Sequence, residues 1–207
     1  MPDARAVQPQ FPTLERQNDA DHFGMLLFLS TEVLIFGGVF AVAFTLRAEH
    51  ADYAQASKQM HYWIGGINTG VLLTSSALVA LMVEAVRAGR AKLAGWLLGG
   101  TIALGLVFLA LKFTEYALEY RDGVVPILSD ANLHGGVERL FMDLYFVATG
   151  LHALHVTVGL CLLGSLLWPF GRARRERTAV FAGNAALYWH LVDIVWVFLY
   201  PTLYLAR

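Results

Sequence analysis

Charged residues are scarce in this sequence of 207 residues, at 15% against about 25% in an ordinary soluble domain. The formal net charge is −1, so the chain lacks the excess of positive charge typical of nucleic-acid-binding proteins, and no nucleic-acid partner is expected. There is one cysteine, Cys161. An internal disulfide and paired-thiol redox chemistry are therefore excluded.

Apolar residues dominate instead, at 57% of the chain with a mean hydropathy of +0.54. They form five segments, each as long as the roughly 20 residues that a helix needs to cross a bilayer. The segments are residues 23–46, 66–86, 93–118, 141–168 and 180–205. We predict an all-α, polytopic membrane bundle of five transmembrane helices over residues 23–207, preceded by a polar N-terminal arm, residues 1–22, which has no signal-peptide h-region.

Lysine and arginine counts predict the orientation. Nine of these residues lie in the arm and in the second and fourth loops, while five lie on the opposite side. Because positively charged loops stay on the cytoplasmic side, we expect a cytoplasmic N-terminus and a periplasmic C-terminus.

Five polar side chains are expected in the middle of the hydrocarbon layer, at depths of roughly 14–21 Å from a rise of 1.5 Å per residue. They are Glu32, His152, His155, His190 and Asp193. The two histidines of the fourth segment, and the histidine and aspartate of the fifth, are each three residues apart and so share a helix face. This spacing favours a structural polar cluster between the fourth and fifth helices, without a water-filled path.

Haem ligation, metal binding and proton relay are the alternative interpretations of these side chains. Haem ligation needs histidines on facing helices, and only His190 lies outside the fourth segment. A metal site needs further ligands at the same depth. A relay needs a continuous polar path, for which Glu32 alone is weak support.

Three ionisable residues raise separate expectations. Glu32 has no lysine or arginine at its depth and is expected to be unpaired, neutral and a hydrogen-bond donor. Lys112 and Glu115 lie near the outer end of the third segment, where a lysine can extend to the interface and a carboxylate can contact water.

Small and basic residues suggest further contacts. Glycines four residues apart, at 66 and 70 and at 95 and 99, would allow helices to approach closely. Arg172, Arg174 and Arg175 could bind anionic lipid headgroups, although retention of the loop in the cytoplasm is the stronger explanation for them.

Several motifs resemble one known family. They are LSTEVLIFGG at 29–38, Asn68-Thr69, Thr114-Glu115-Tyr116, FVATGLHALHV at 146–156 and YWHLVDIVWVFLY at 188–200. Together they are similar to subunit III of the haem-copper oxidases over all five segments. The glutamate of the first segment and the Tyr-Trp-His of the last are more similar to cytochrome c oxidases than to quinol oxidases.

The resemblance implies a subunit without a catalytic centre, a haem or a copper of its own, lying against subunit I, with subunit II and other respiratory subunits in the complex. It implies bound phospholipid, support of proton uptake and a bacterial inner membrane. Glu115, Tyr116, Trp189 and Trp196 correspond to family signature positions. Longer members have seven helices, so the two helices that form one wall of their lipid cleft have no counterpart here.

Two other functions agree less well with the sequence. A proton-coupled transporter would be expected to show internal repeats or broken helices, and neither is apparent in the sequence. A membrane b-type cytochrome is disfavoured by the placement of the histidines. Subunit III of a quinol oxidase remains the alternative within the family.

Overall fold

The computed structural model describes residues 10–50, 53, 62–122, 136–167 and 175–205. These residues form five α-helices and no strand. The helices are α1 (Leu14–Glu49), α2 (Tyr62–Arg87), α3 (Ala91–Arg121), α4 (Gly136–Ser165) and α5 (Arg175–Tyr204). All five are long and apolar enough to cross a membrane, the fifth over Ala179–Tyr204. The predicted fold class is confirmed, while the orientation of the termini stays a prediction.

The helices extend beyond the apolar segments, most clearly at the start of α1. This helix begins at Leu14, inside the predicted polar arm, because Thr13 accepts a hydrogen bond from the Arg16 backbone N–H at 3.3 Å and so caps the helix. Hydropathy marks only the part that fits the hydrocarbon layer. The residues from 14 to 22 are therefore helical.

A tight turn joins α2 to α3. Gly89 has φ of 73°, in the left-handed region that glycine adopts without a steric penalty. The Arg90 N–H donates to the Ala85 carbonyl and the Gly89 N–H to the Val86 carbonyl, which together satisfy the last carbonyls of α2. This turn makes α2 and α3 antiparallel neighbours.

The core lies between α2, α3, α4 and α5, while α1 packs on its outside. In the apolar windows of the helices, 56% of residues are buried in α5 but only 11% in α1. The exterior carries large exposed apolar side chains such as Trp96 and Leu34. An exterior of this kind suits lipid or a neighbouring membrane subunit.

Two glycines give α3 and α4 room for the indole of Trp189 on α5. A Cβ added at Gly105 or at Gly159 would lie 2.8 Å from a carbon of this fully buried ring. The predicted spacing pairs are mostly wrong, since a Cβ at 70, 95 or 99 would meet no atom within 4 Å. Small residues accommodate a large side chain here, which a four-residue spacing does not reveal.

The end of the bundle at which α1 and α5 begin is called the N-terminal end. The opposite end, where these helices finish, is the C-terminal end. Because successive helices are antiparallel, α2 and α4 finish at the N-terminal end.

Candidate functional site: buried polar contacts between the helices

Glu32 of α1 contacts His155 of α4. Its Oε2 lies 2.7 Å from His155 Nε2, and both side chains are at least 88% buried. The other ring nitrogen, Nδ1, lies 2.7 Å from the Leu151 carbonyl, which can only accept, so Nδ1 carries a hydrogen. One proton then lies between Glu32 and His155, on either the carboxyl group or the imidazole, and the pair as a whole is neutral.

This contact corrects the expectation that Glu32 is unpaired. The depth argument placed Glu32 and His155 in the same layer, but it predicted that the His155 imidazole would contact the fifth helix. In the structure Phe36 packs against the same ring at 5.1 Å between centroids, so α1 covers this face of α4. The pair therefore holds the peripheral helix on the core.

His190 and Asp193 contact α2 rather than α4. His190 Nδ1 lies 2.7 Å from Ser76 Oγ. Asp193 is 2% exposed, and its carboxyl lies beside the same hydroxyl. Neither of its oxygens has a hydrogen-bond partner among the described residues. The predicted polar cluster between the fourth and fifth helices is thus wrong, because His190 and Asp193 of α5 lie against α2.

Two tryptophans of α5 reinforce this contact with α2. Trp189 Nε1 donates to Ser75 Oγ at 3.0 Å, and Trp196 Nε1 donates to Thr69 Oγ1 at 3.1 Å. Both indoles are fully buried. Their polar edges are satisfied on α2, while their ring faces fill the core.

His152 lies in an aromatic pocket. Its ring centroid is 5.0 Å from that of Trp196, 5.5 Å from Phe108 and 6.4 Å from Phe36. The residue is fully buried, and neither ring nitrogen has a hydrogen-bond partner among the described residues. In this arrangement its contribution is aromatic packing.

Lys112 is the centre of a second polar group near the C-terminal end. Its Nζ donates to Glu115 Oε2 at 3.0 Å, to Tyr145 OH at 3.0 Å and to Tyr204 OH at 2.8 Å. All three ammonium hydrogens are thereby used. Trp196 also lies under this ammonium, 5.4 Å from Nζ to ring centroid, as a cation–π partner.

The second carboxyl oxygen of Glu115 accepts from Tyr204 OH at 2.8 Å. Lys112 is 2% exposed and Glu115 0%. The expectation that the lysine extends to the interface and the carboxylate contacts water is therefore wrong. The two charges neutralise each other inside the protein, one turn apart on α3.

Two further residues of α3 face the same region. Tyr116 OH lies 2.6 Å from Thr149 Oγ1 of α4, which ties the signature tyrosine to the neighbouring helix. Glu119 is 3% exposed, and its carboxyl oxygens have no hydrogen-bond partner in the described part of the chain. Sequence reasoning missed Glu119, although its four-residue spacing from Glu115 was a signal.

Sequence reasoning also missed the hydroxyl partners of the ionisable side chains. Ser76, Tyr145 and Tyr204 supply these contacts, and serine and tyrosine are common enough in membrane helices to attract no attention. Tyrosines facing each other from α4 and α5 are separated by 59 residues. Only the tertiary arrangement brings them to Lys112.

The predicted lipid-binding arginines cannot be placed. Arg172 and Arg174 lie outside the described residues, and Arg175 begins α5 with its side chain outside the described part. Among described residues, no group of three or more histidine, cysteine or acidic side chains is positioned to hold a metal ion. The expectation that this chain has no cofactor stays a prediction.

Comparison with known proteins agrees with the motifs. The family model described as Cytochrome c oxidase subunit III matches residues 17–206. The chain is similar to cytochrome c oxidase subunit 3 of Thermostichus vulcanus, at 32% identity over 88% of this chain and 85% of that protein. It is similar to that of Synechocystis sp., at 35% identity over 90% and 76% respectively. The multi-pass helix bundle with these motifs belongs to the cytochrome c oxidase subunit III family.

Proposed function

We propose that this chain is the non-catalytic subunit III of a terminal oxidase that takes electrons from cytochrome c in a bacterial inner membrane. In this role it stabilises the catalytic subunit I, orders phospholipid at the contact and supports proton uptake. Haem and copper are held by the partner subunits I and II. This chain supplies no cofactor ligand.

The observation that carries the proposal is how the interior ionisable groups are used. Glu32 pairs with His155, and Lys112 pairs with Glu115 and two tyrosines. Each group links two or more helices, so the residues that could have bound a cofactor serve the rigidity of the bundle. A rigid bundle suits a subunit that supports a neighbour.

The exterior of the bundle supports the proposed contacts with phospholipid and subunit I. The helix with the least buried surface, α1, presents Leu34 at 75% exposed and Val33 at 53% exposed near the middle of its length. Such a surface is stable only against acyl chains or another apolar helix. Phospholipid and subunit I are the partners that meet this requirement.

Deletion of the gene tests the function. Oxidase purified without this chain is expected to keep its haem spectrum but to lose activity progressively during turnover and to take up protons more slowly in liposomes. Restoring the chain should reverse both defects. Normal turnover lifetime and proton uptake without the chain would contradict the proposal.

Metal and haem analysis tests the cofactor statement separately. The chain expressed alone and purified in detergent is expected to contain neither haem, copper nor zinc in stoichiometric amount. A Soret band from this chain alone would show that it is a cytochrome.

A further inference from the structure

A cavity of about 280 Å³ opens between α1, α2 and α5 toward the N-terminal end of the bundle. It is lined by His22 of α1 and by two residues from the last turn of α2, Glu84 and Arg87, which form an ion pair with each other at 3.0 Å. Gly183 and His190 of α5 also line it, and His190 lies further from the N-terminal end of the bundle. Seven residues of α5, or about 10 Å, separate these last two positions.

The side chains that line the cavity suit proton exchange with water. Because a water molecule occupies about 30 Å³ in the liquid, the cavity has room for several. Polar groups at its opening favour water there, and an imidazole at its end can take up and pass on a proton.

We propose that Asp193 is a proton-holding site that exchanges protons with the water of this cavity through His190 and Ser76. The proposal rests on the support of proton uptake proposed above and names the residues for it. His190 Nδ1 lies 2.7 Å from Ser76 Oγ, and this hydroxyl lies beside the buried Asp193 carboxyl. The imidazole and the hydroxyl are hydrogen-bonded, whereas the carboxyl has no hydrogen-bond partner among the described residues, so the last transfer needs a local movement of the Ser76 side chain.

The transfer needs no group beyond these residues and water. A proton arrives at His190 Nε2, the Nδ1 proton moves to Ser76 Oγ, and the hydroxyl proton moves to the Asp193 carboxylate. Only N–H and O–H bonds form and break. Release follows the reverse order, and the carboxyl holds the proton because an unpaired buried carboxylate is costly.

The series ends at Asp193 and does not cross the membrane. One turn further along α5, the fully buried Trp196 fills the space, with its N–H on Thr69 and its ring under the Lys112 ammonium. His152 of α4 lies on the same indole and has no hydrogen-bonded continuation among the described residues. Because no hydrogen-bonded continuation beyond Asp193 exists among the described residues, a proton that reaches this carboxyl leaves by the route through which it arrived.

Infrared spectroscopy of the intact oxidase tests this site. Oxidase labelled with ¹³C at the aspartate side-chain carboxyl is transferred to D₂O, and the stretching band of protonated aspartate is followed. We expect one band that exchanges and that is lost in Asp193→Asn. Ser76→Ala removes the intermediate hydroxyl and should slow the exchange.

A matched pair of glycine variants tests the route. A Cβ at Gly183, in the cavity wall, or at Gly164 of α4, away from the cavity, would meet no atom within 4 Å. Gly183→Leu should fill the cavity and slow exchange at Asp193 by about tenfold, because exchange then requires local opening. Gly164→Leu should leave the rate unchanged.

The outcomes separate this inference from the proposed function. Absence of an Asp193 band, or equal exchange in the two glycine variants, overturns the inference even where deletion of the chain still impairs proton uptake. If the Asp193→Asn oxidase does not assemble, the exchange of the isotope-labelled aspartate band in the two glycine variants decides the question. If deletion leaves proton uptake normal while Gly183→Leu slows exchange, the site exists and the proposed function fails.

Discussion

Glu32 and His155 form a hydrogen bond of 2.7 Å that joins a peripheral helix to the core of the bundle. Because His155 Nδ1 is committed to the Leu151 carbonyl, the bond contains a single proton. The pair is neutral whichever group carries that proton. A neutral pair costs little to bury and still fixes the rotation of α1 against α4.

The first prediction concerns this pair. Glu32→Leu and His155→Leu should each reduce the free energy of unfolding by about 1–2 kcal/mol, the scale of hydrogen bonds between membrane helices. Glu32→Gln keeps a donor for His155 Nε2 and should cost less than 1 kcal/mol. SDS titration in detergent micelles measures these differences. Equal losses for Gln and Leu at position 32 would contradict the assigned proton arrangement.

The second prediction concerns Lys112. Lys112→Met leaves Glu115 as an uncompensated buried carboxylate and should cost about 3–5 kcal/mol. Adding Glu115→Gln to the same chain should recover part of that loss, because no unpaired carboxylate then remains at position 115. Arg87→Met is the control, since it breaks the exposed pair with Glu84 and should change stability by less than about 1 kcal/mol. A double variant as unstable as Lys112→Met alone would refute the ion pair as the cause.

The third prediction tests the packing of Trp189. Gly159→Ala places a Cβ 2.8 Å from the indole and should destabilise the chain by about 1–3 kcal/mol through overpacking. Gly150→Ala on the same helix, where the added Cβ meets no atom within 4 Å, should be neutral or stabilising because alanine favours helix. Unfolding curves of the two variants side by side provide the measurement. The reverse order of stability would be inconsistent with this packing.

The fourth prediction concerns His152. His152→Phe keeps an aromatic ring against Trp196 and Phe108 and removes two buried nitrogens that lack partners among the described residues. Stability should be unchanged or higher, since a buried polar group without a hydrogen bond is unfavourable. His152→Ala leaves a cavity and should cost about 2–5 kcal/mol. Comparable losses in the two variants would indicate that the nitrogens contribute to stability.

The fifth prediction concerns orientation. From the excess of lysine and arginine on one side, the N-terminus should be cytoplasmic and Arg207 periplasmic. Alkaline phosphatase fusions should be active at the C-terminus and inactive in the turn at Gly89. An active fusion at Gly89 would invert the topology and place the cavity at His190 on the periplasmic side.

The sequence predicts the helices and the depth of the polar residues in the membrane, but it says much less about how the helices are rotated. Apolar length alone predicts each of the five helices, and depth alone places Glu32 and His155 in one layer. The helix that contacts each imidazole depends on how every helix is rotated about its own axis. The spacing of residues within one helix does not determine this rotation. For this reason Asp193 was expected to face α4, whereas it lies beside Ser76 of α2.

Lys112 shows a second limit of sequence reasoning. Its position near a helix end predicted an extended side chain, and the partner three residues later, Glu115, was already visible. What the sequence did not reveal was that Tyr145 and Tyr204 would supply two more acceptors inside the protein. Burial of the lysine is a property of three helices together.

The sparse burial of α1 has a consequence for biogenesis. This helix precedes the others in the chain, yet the four helices that follow it form a core in which α1 takes almost no part. Insertion into the bilayer and lateral association are separable steps for such helices. For α1, insertion therefore does not itself supply a place in the bundle, and its contact with the imidazole of α4 requires α4 to be in the membrane as well.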